Sequence, residues 1–463
     1  MEPKATPTLD PDATQPPRSE LPASGPRSGS GPVSDREGPP SRDPFNPFTA
    51  AFRRDPYPHY RRIRALDPVH WSFVGVWMLT RHADIVRVLK DPARFSSQLS
   101  LWDRYQSNPK FRTLTGEPTP CAAVSEQMMI FRDPPAQTRL RKLVQQAFSP
   151  RAVQAMRPWI TAYVEQLLDR AEASAGAAAE PPTRAAAGAP SPREREIDLI
   201  AELAWPLPVG VISEMLGVPE ADRDFIRLLS RRFAPAFAPM TPPTAMDAAN
   251  EACAQFVDYF RVLSRARRKT LGPDLLSALL SAEETGDRLT EAEVISNCFL
   301  LFFAGHETTV NLIGNGLHAL LNHRDQWELL QKNPELVPNA IEELLRYDSP
   351  FQIVYRNAVE TVEIGGKTIR EGEQLFVFLG SANRDEEVYA DPEVLDVTRK
   401  GISHLGFGHG IHHCLGAALG RLEAAAAVSA IVRRYPNLRA SQATPAWGDN
   451  ILLRGLRSLP VCI

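Results

Sequence analysis

Phe407-Gly408-His409-Gly410-Ile411-His412-His413-Cys414-Leu415-Gly416 is the stretch on which the reading of this chain turns. It is a glycine-laced loop that runs straight into an alanine-rich segment with helical spacing. The start of a helix offers unpaired backbone N–H groups and the positive end of its dipole. Both favour an ionised sulfur over a neutral thiol, so Cys414 is expected as a thiolate. Glycines at 408, 410 and 416 let the backbone approach a large flat ligand with no Cβ in the way.

The order Phe-x-x-Gly-x-His-x-Cys-x-Gly resembles the haem-binding signature of the cytochrome P450 superfamily, in which the cysteine is the axial ligand of the iron. From this chain's own composition the pattern arises by chance about once in ten thousand. The alternative is a buried structural cysteine, the common role of a lone intracellular thiol. The resemblance implies a mainly α (α+β) fold: a single haem-enclosing helical domain with a small β-sheet region. Its cofactor is haem b, iron protoporphyrin IX, with Cys414 as the metal ligand.

A second segment, Ala304-Gly305-His306-Glu307-Thr308-Thr309, follows directly on the apolar run Phe299–Phe303. Gly305 weakens the helical turn, and the Thr308 hydroxyl can bond back to the Ala304 carbonyl, opening the helix locally. Taken alone, Glu-Thr-Thr in a helix is more often a solvated face or a cap. In the P450 family the pattern forms a groove where an acid and an alcohol relay protons to bound oxygen. The resemblance thus makes Thr308 and Glu307 the catalytic pair.

The resemblance assigns further roles residue by residue. Glu343 and Arg346 lie three apart on one helix face and can pair, as Glu220 and Arg223 can elsewhere. The former match the family's Glu-x-x-Arg helix, which locks the loop carrying the cysteine. In the following meander, Val394 and Leu395 stand where Arg and Phe are common, so no third partner is assigned to that pair. Haem propionates need cations or hydrogen-bond donors, and Arg141, Arg356 and His404 match the family's contacts. Gln137 replaces a histidine frequent in relatives. Arg139, Lys142, Arg151 and Arg421 could make the face behind the haem basic, where an acidic ferredoxin would dock; an ordinary solvated charged face is the competing reading.

The chain has 463 residues, a net charge of −3 and 43% hydrophobic residues, enough for one large globular body and too little positive charge for a nucleic-acid field. Its five cysteines are scattered and form no Cys-x-x-Cys pair, which fits a reducing, cytoplasmic setting. No apolar stretch approaches the roughly 20 residues that span a bilayer, so no membrane anchor is expected. Residues 1–44 carry Pro, Ser, Gly and charge without an aromatic residue and read as a disordered tail ahead of a catalytic domain over 45–463. Within that domain, about 172–196 reads as a flexible Ala/Pro-rich insertion. Helical spacing covers 136–148, 151–171, 198–216, 250–268, 291–321, 334–346 and 415–434. Strand-like pieces are Val69–Leu79, Glu360–Ile369 with a Gly365-Gly366 turn, Gln374–Leu379 and the tail after Ile451.

The resemblance to the P450 family implies a soluble, bacterial-type, monomeric monooxygenase of secondary metabolism. It would insert one oxygen atom from O2 into a small hydrophobic substrate by hydroxylation or epoxidation. Electrons would come from NAD(P)H through ferredoxin reductase and ferredoxin. A peroxide-driven peroxygenase and a non-catalytic haem-thiolate sensor or carrier are the alternatives, and the Glu307-Thr308 pair argues against both. Specificity in this fold comes from the loop after Phe95 up to Phe131 and from the segment around Arg231–Met246. Trp102, Tyr105, Phe233 and Phe237 there are either lining residues or packing anchors. The proline-rich 231–243 stretch reads as a stiff, non-helical connection.

Overall fold

The computed structural model describes residues 45–101, 117–178, 195–237, 242–282, 289–441 and 445–463. The expected tail 1–44, most of the insertion, Trp102 and Tyr105 lie outside the described residues. Chain contacts separate Met1–Pro44 from Phe45–Ile463, and the second unit is the body described below.

In chain order its helices are α1 (Ala50–Arg54), α2 (Tyr57–Leu66), α3 (His82–Lys90), α4 (Pro120–Gln127), α5 (Ala136–Gln145) and α6 (Pro150–Ala178). They continue as α7 (Pro206–Leu216), α8 (Arg223–Phe233), α9 (Pro243–Lys269), α10 (Leu275–Ala282) and α11 (Glu291–Asn322). The last are α12 (Arg324–Lys332), α13 (Val337–Tyr347), α14 (Leu379–Ala382) and α15 (Ala417–Arg434).

α11 is the axis of the fold. It opens on a capping box: the Thr290 hydroxyl accepts from the Glu293 N–H at 3.2 Å, and the Glu293 carboxylate accepts from the Thr290 N–H at 2.9 Å. Most of its residues are buried, as expected of a helix apolar on nearly every side. Phe233, Phe256, Phe260, Phe299 and Phe302 join α8, α9 and α11 in one aromatic cluster, with Phe233 and Phe299 rings 4.2 Å apart. Phe233 is therefore a packing anchor, buried in that cluster and not a cavity-lining residue.

A five-stranded sheet lies beside the helices in the order β1 (Val69–Trp71), β2 (Trp77–Leu79), β8 (Gln374–Phe378), β5 (Ile353–Ala358), β3 (Phe95–Ser96). Only β2 and β8 pair in parallel. β5, which the sequence reading leaves out, registers Ile353 against Phe378. The Gly365-Gly366 turn forms as expected, with φ of 54° and 71°, between β6 (Val362–Ile364) and β7 (Lys367–Ile369). β10 (Pro460–Cys462) pairs with both β4 (Glu196–Asp198) and β9 (Arg439–Ala440).

Several expectations change. The insertion does not begin at 172, because α6 continues to Ala178 on strong helix-forming alanines, and Glu196 already belongs to β4. The expected helix over 198–216 divides into a π turn at Ile200–Ala204 and α7, with Pro206 at the start of the latter. Within 231–243, Arg231–Phe233 closes α8, Ala234–Phe237 is a 3-10 turn and Pro243 opens α9, so the described part is largely helical.

Candidate active site

The loop before α15 is a tight coil. Cys414 N–H donates to the Phe407 carbonyl at 2.8 Å, His413 N–H to Gly410 at 3.0 Å and Gly408 N–H to Leu405 at 2.8 Å. Gly410 has a φ of 70°, and a Cβ on it would stand 2.1 Å from the Leu89 carbonyl oxygen, so only glycine lets α3 approach. The coil holds Cys414 at one wall of a cavity of about 230 Å³. Ala304, Gly305, Thr308 and Thr309 of α11 line the same cavity, as do the apolar Met129, Ile130, Ile212, Leu300 and Leu301. The side chains of Phe299 and Phe302 turn into the aromatic core instead.

Burial pushes the Cys414 thiol up, while the Gly416 N–H and the charges of Arg141 and Arg421 pull it down. A cation bound against the sulfur would favour the thiolate that the sequence reading expects.

On α11 the Thr308 hydroxyl donates to the Ala304 carbonyl at 2.9 Å, as the sequence predicts, and the Thr309 hydroxyl repeats the pattern to Gly305 at 3.3 Å. α11 nevertheless runs as one unbroken α-helix through this stretch, so the local opening expected from the sequence does not appear. Burial raises Glu307 to about 7, poised to give or take a proton near neutrality. His306 points the other way: its Nδ1 bonds the Phe302 carbonyl at 2.7 Å, and burial lowers it to about 4. Glu423 of α15 also reaches the cavity wall, and burial pushes its carboxyl well above the usual range. Nothing in its alanine-rich surroundings marks it in the sequence.

The predicted propionate contacts divide. Arg141 lines the cavity and braces the loop, donating to the carbonyls of Ile411 at 3.1 Å and His413 at 2.7 Å. Gln137 donates to the same Ile411 carbonyl at 2.8 Å. Arg356 does not line the cavity; it is buried, held by the Tyr355 carbonyl at 2.7 Å, and burial lowers it to about 10. His404 is not brought to the cavity. Its Nε2 meets Glu342 at 3.1 Å, and Arg421 clasps the same carboxylate at 2.6 and 2.8 Å. Burial raises the Glu342 carboxyl, but those two partners outweigh it and hold it at about 2.

His412 takes the place expected of His404. It lines the cavity, and its buried Nε2 has no hydrogen-bond partner among the described residues. Burial first, then the charge of Arg356, lowers it to about 3. A buried ring nitrogen without a partner among the described residues, lining the same cavity as Arg141 and Cys414 and in the field of the Arg356 and Arg141 charges and of the Asp133 carboxylate, is a donor set that fits a flat dianion held through a metal–thiolate bond. The signal was present in the motif, two positions before Cys414.

Glu343 and Arg346 are both fully buried and pair at 2.7 and 2.8 Å. The third partner is Arg399, whose Nε reaches Glu343 Oε1 at 3.2 Å. At the positions where Arg and Phe are absent, the backbone serves instead: the Val394 carbonyl accepts from Arg346 at 3.0 Å. The lock reaches the cysteine loop through Asn383, whose carbonyl accepts from Arg346 at 3.1 Å and whose side chain accepts from Leu405 N–H at 2.6 Å.

The family model for cytochrome P450 matches residues 106–445. Cytochrome P450 107B1 of Saccharopolyspora erythraea is 41% identical over 424 residues, covering 89% of this chain and 96% of that protein. The chain belongs to the cytochrome P450 family. Another relative, the P450 monooxygenase PikC of Streptomyces venezuelae, is 39% identical, covering 89% of this chain and 91% of its own. Among solved structures, P450BioI in complex with hexadec-9Z-enoic acid ligated acyl carrier protein superposes with a TM-score of 0.79 at 35% identity, over 90% of this chain and 100% of that one. This P450 is thus a monooxygenase of the bacterial class, its cofactor is a haem-thiolate, and its fold is the P450 fold. Among the described residues no helix is long and apolar enough to cross a membrane.

Proposed function

We propose that this P450 inserts one oxygen atom of O2 into a hydrophobic small molecule of secondary metabolism, by hydroxylation or epoxidation. The observation that carries the reading is that Cys414 and the Thr308 groove line one apolar cavity. Haem b would be held by the Cys414 sulfur, with Arg141 and His412 on the cavity wall and the buried Arg356 as candidates to meet its propionates. When bound, it supplies the redox activation of dioxygen.

The chain's own residues do the rest. Thr308 holds a hydroxyl proton at Oγ1 that it can exchange against its Ala304 bond, and Glu307, near-neutral in affinity, replenishes it from outside. Met129, Ile130, Leu300 and Leu301 exclude water and orient the substrate by shape. The fatty-acyl complex of P450BioI supports an extended aliphatic ligand. Glu343, Arg346 and Arg399 act only as structure, fixing the cysteine loop.

Electrons come from NAD(P)H through ferredoxin reductase and a ferredoxin to a monomeric, cytoplasmic enzyme. Arg139 and Arg421 are already paired, with Glu293 and Glu342, so Lys142 and Arg151, both exposed, are the cations left to meet an acidic ferredoxin.

The test is turnover of the haem-loaded protein with surrogate ferredoxin, reductase and isotopically labelled dioxygen. One labelled atom should enter the product and one should enter water. Label in the product only when peroxide carries it would favour the peroxygenase reading, and NAD(P)H left unconsumed across substrates would favour a sensor or carrier.

A further inference from the structure

The cavity wall formed by Met129 and Ile130 has a built support on two other helices. α4 ends at Gln127, and Met128 turns extended, with φ of −70° and ψ of 135°. A helix end of this kind leaves a carbonyl and an N–H that the helix itself cannot satisfy. Asn297 of α11, 2% exposed, serves both. Its Oδ1 accepts the Met129 N–H at 3.1 Å, and its Nδ2 donates to the Gln127 carbonyl at 3.3 Å. The same Nδ2 is oriented by the Glu293 carbonyl one turn earlier, at 2.8 Å. A primary amide offers a donor and an acceptor side by side.

The other end of α4 is treated the same way. The Cys121 N–H, in the first turn, donates to Oδ1 of Asn250 on α9 at 3.1 Å. A short helix beside the cavity is therefore tied to two helices through side-chain amides on its backbone, one at each end, while its own side chains contribute apolar packing.

We propose that Asn297 and Asn250 are positioning residues: a two-point clasp that holds α4 and the Met129–Ile130 wall against the cavity and so sets which ligands fit and where they are presented. The consequence for oxidation rests on the monooxygenase reading above; the clasp itself does not. Neither asparagine lines the cavity. Without Asn297, two backbone groups beside the wall lose their partners, and local opening there becomes easier.

The experiment uses the haem-loaded full chain with Asn297→Ala and, separately, Asn250→Ala, the latter at a half-buried position. Amide hydrogen exchange is read at 127–131, and binding rates are read for imidazole and for 4-phenylimidazole, a small and a bulky azole. Asn297→Ala should speed exchange at Met129 and raise the 4-phenylimidazole on-rate about tenfold, with the imidazole rate unchanged. Asn250→Ala should loosen the first turn of α4 and give a smaller shift of the same sign. A variant whose two azole rates change together, or whose exchange at 127–131 matches the parent, overturns the clasp. Exchange at these amides does not depend on a thiolate ligand. A parent protein that binds haem without the thiolate CO band would overturn the monooxygenase reading and leave the clasp to be judged on exchange alone.

Discussion

The floor of the cavity around Cys414 and the wall around Met129 are built on opposite principles. The floor rests on buried charge: Glu343 and Arg346 are fully inaccessible, Arg399 completes the triad, and Glu342 joins His404 to Arg421. Glu343 and Arg346 are costly to remove, because the remaining buried charge has no water to return to, whereas Arg421 and Glu342 are partly exposed. The wall is apolar packing tied down by neutral amides, where any one change is small. A surface that must hold a cofactor in one pose is made brittle, and a surface that must accept different ligands is made adjustable.

The comparison breaks outright if Cys414 is not the ligand. Cys414→Ser should abolish the strongly red-shifted ferrous–CO band and take turnover to background. A variant that keeps the band would move the ligand to Cys121, Cys253, Cys298 or Cys462 and dissolve the floor as described. One step down, Arg346→Ala strands the buried Glu343 carboxylate and should lower stability by about 3–5 kcal/mol, read as a lower urea midpoint and poor haem retention. A change confined within 1 kcal/mol would mean that the floor is no more rigid than the wall.

What could be read from the sequence divides along the same line. Cys414, Thr308 and the Glu343/Arg346 pair were legible because chemistry fixes residue type and spacing together. Arg399 was not, since Val394 and Leu395 removed the usual cue and a backbone carbonyl replaced it. His404 and His412 sit on either side of the same loop, and only its coil shows which one faces the cavity. The continuation of α6 was hidden because alanines form helix without the large apolar side chains that reveal periodicity. β5 was missed because Ile353–Tyr355 runs into the buried polar Arg356 and Asn357 and so lacks alternation. Asn297 carries no sequence signal, for its role exists only once α4 is folded against α11.

An intermediate effect is expected at Glu307, which precedes the cavity-lining Thr308 and does not itself line the cavity. Its folded pKa is raised to about 7 from the ordinary 4.5, so the native state binds the proton more tightly than the unfolded chain. Below about pH 4.5 both forms are protonated and no difference arises. Between about pH 4.5 and 7 the parent loses stability relative to Glu307→Gln, whose side chain cannot ionise, and above 7 the difference is constant. As pH rises through 7 the parent's coupling of NAD(P)H to product should fall as the donor is lost, and the Glu307→Gln profile should be flat and low. A parent and a variant with parallel pH profiles would remove Glu307 from the relay. Thr308→Ala should differ in kind: substrate still binds, while reducing equivalents drain into peroxide or water at every pH.

The smallest effect, and the one that most sharpens the contrast, belongs to Ile130. It lines the cavity yet is 37% exposed, so Ile130→Ala removes little buried surface. At about 25 cal/mol per Å² of apolar area, the stability cost should stay near or below about 1 kcal/mol. Affinity for a hydrophobic ligand should fall only a few-fold on the same scale. Product distribution answers to a different quantity, the difference in free energy between poses that present neighbouring carbons to the same reacting centre. A few tenths of a kcal/mol there changes a ratio, because every factor of ten is only about 1.4 kcal/mol. Ile130→Ala should therefore leave the CO band and the urea midpoint nearly unchanged while shifting the ratio of oxidised positions. An unchanged ratio, or a loss of the band, would show that the wall does not select by position or that it is part of the floor after all.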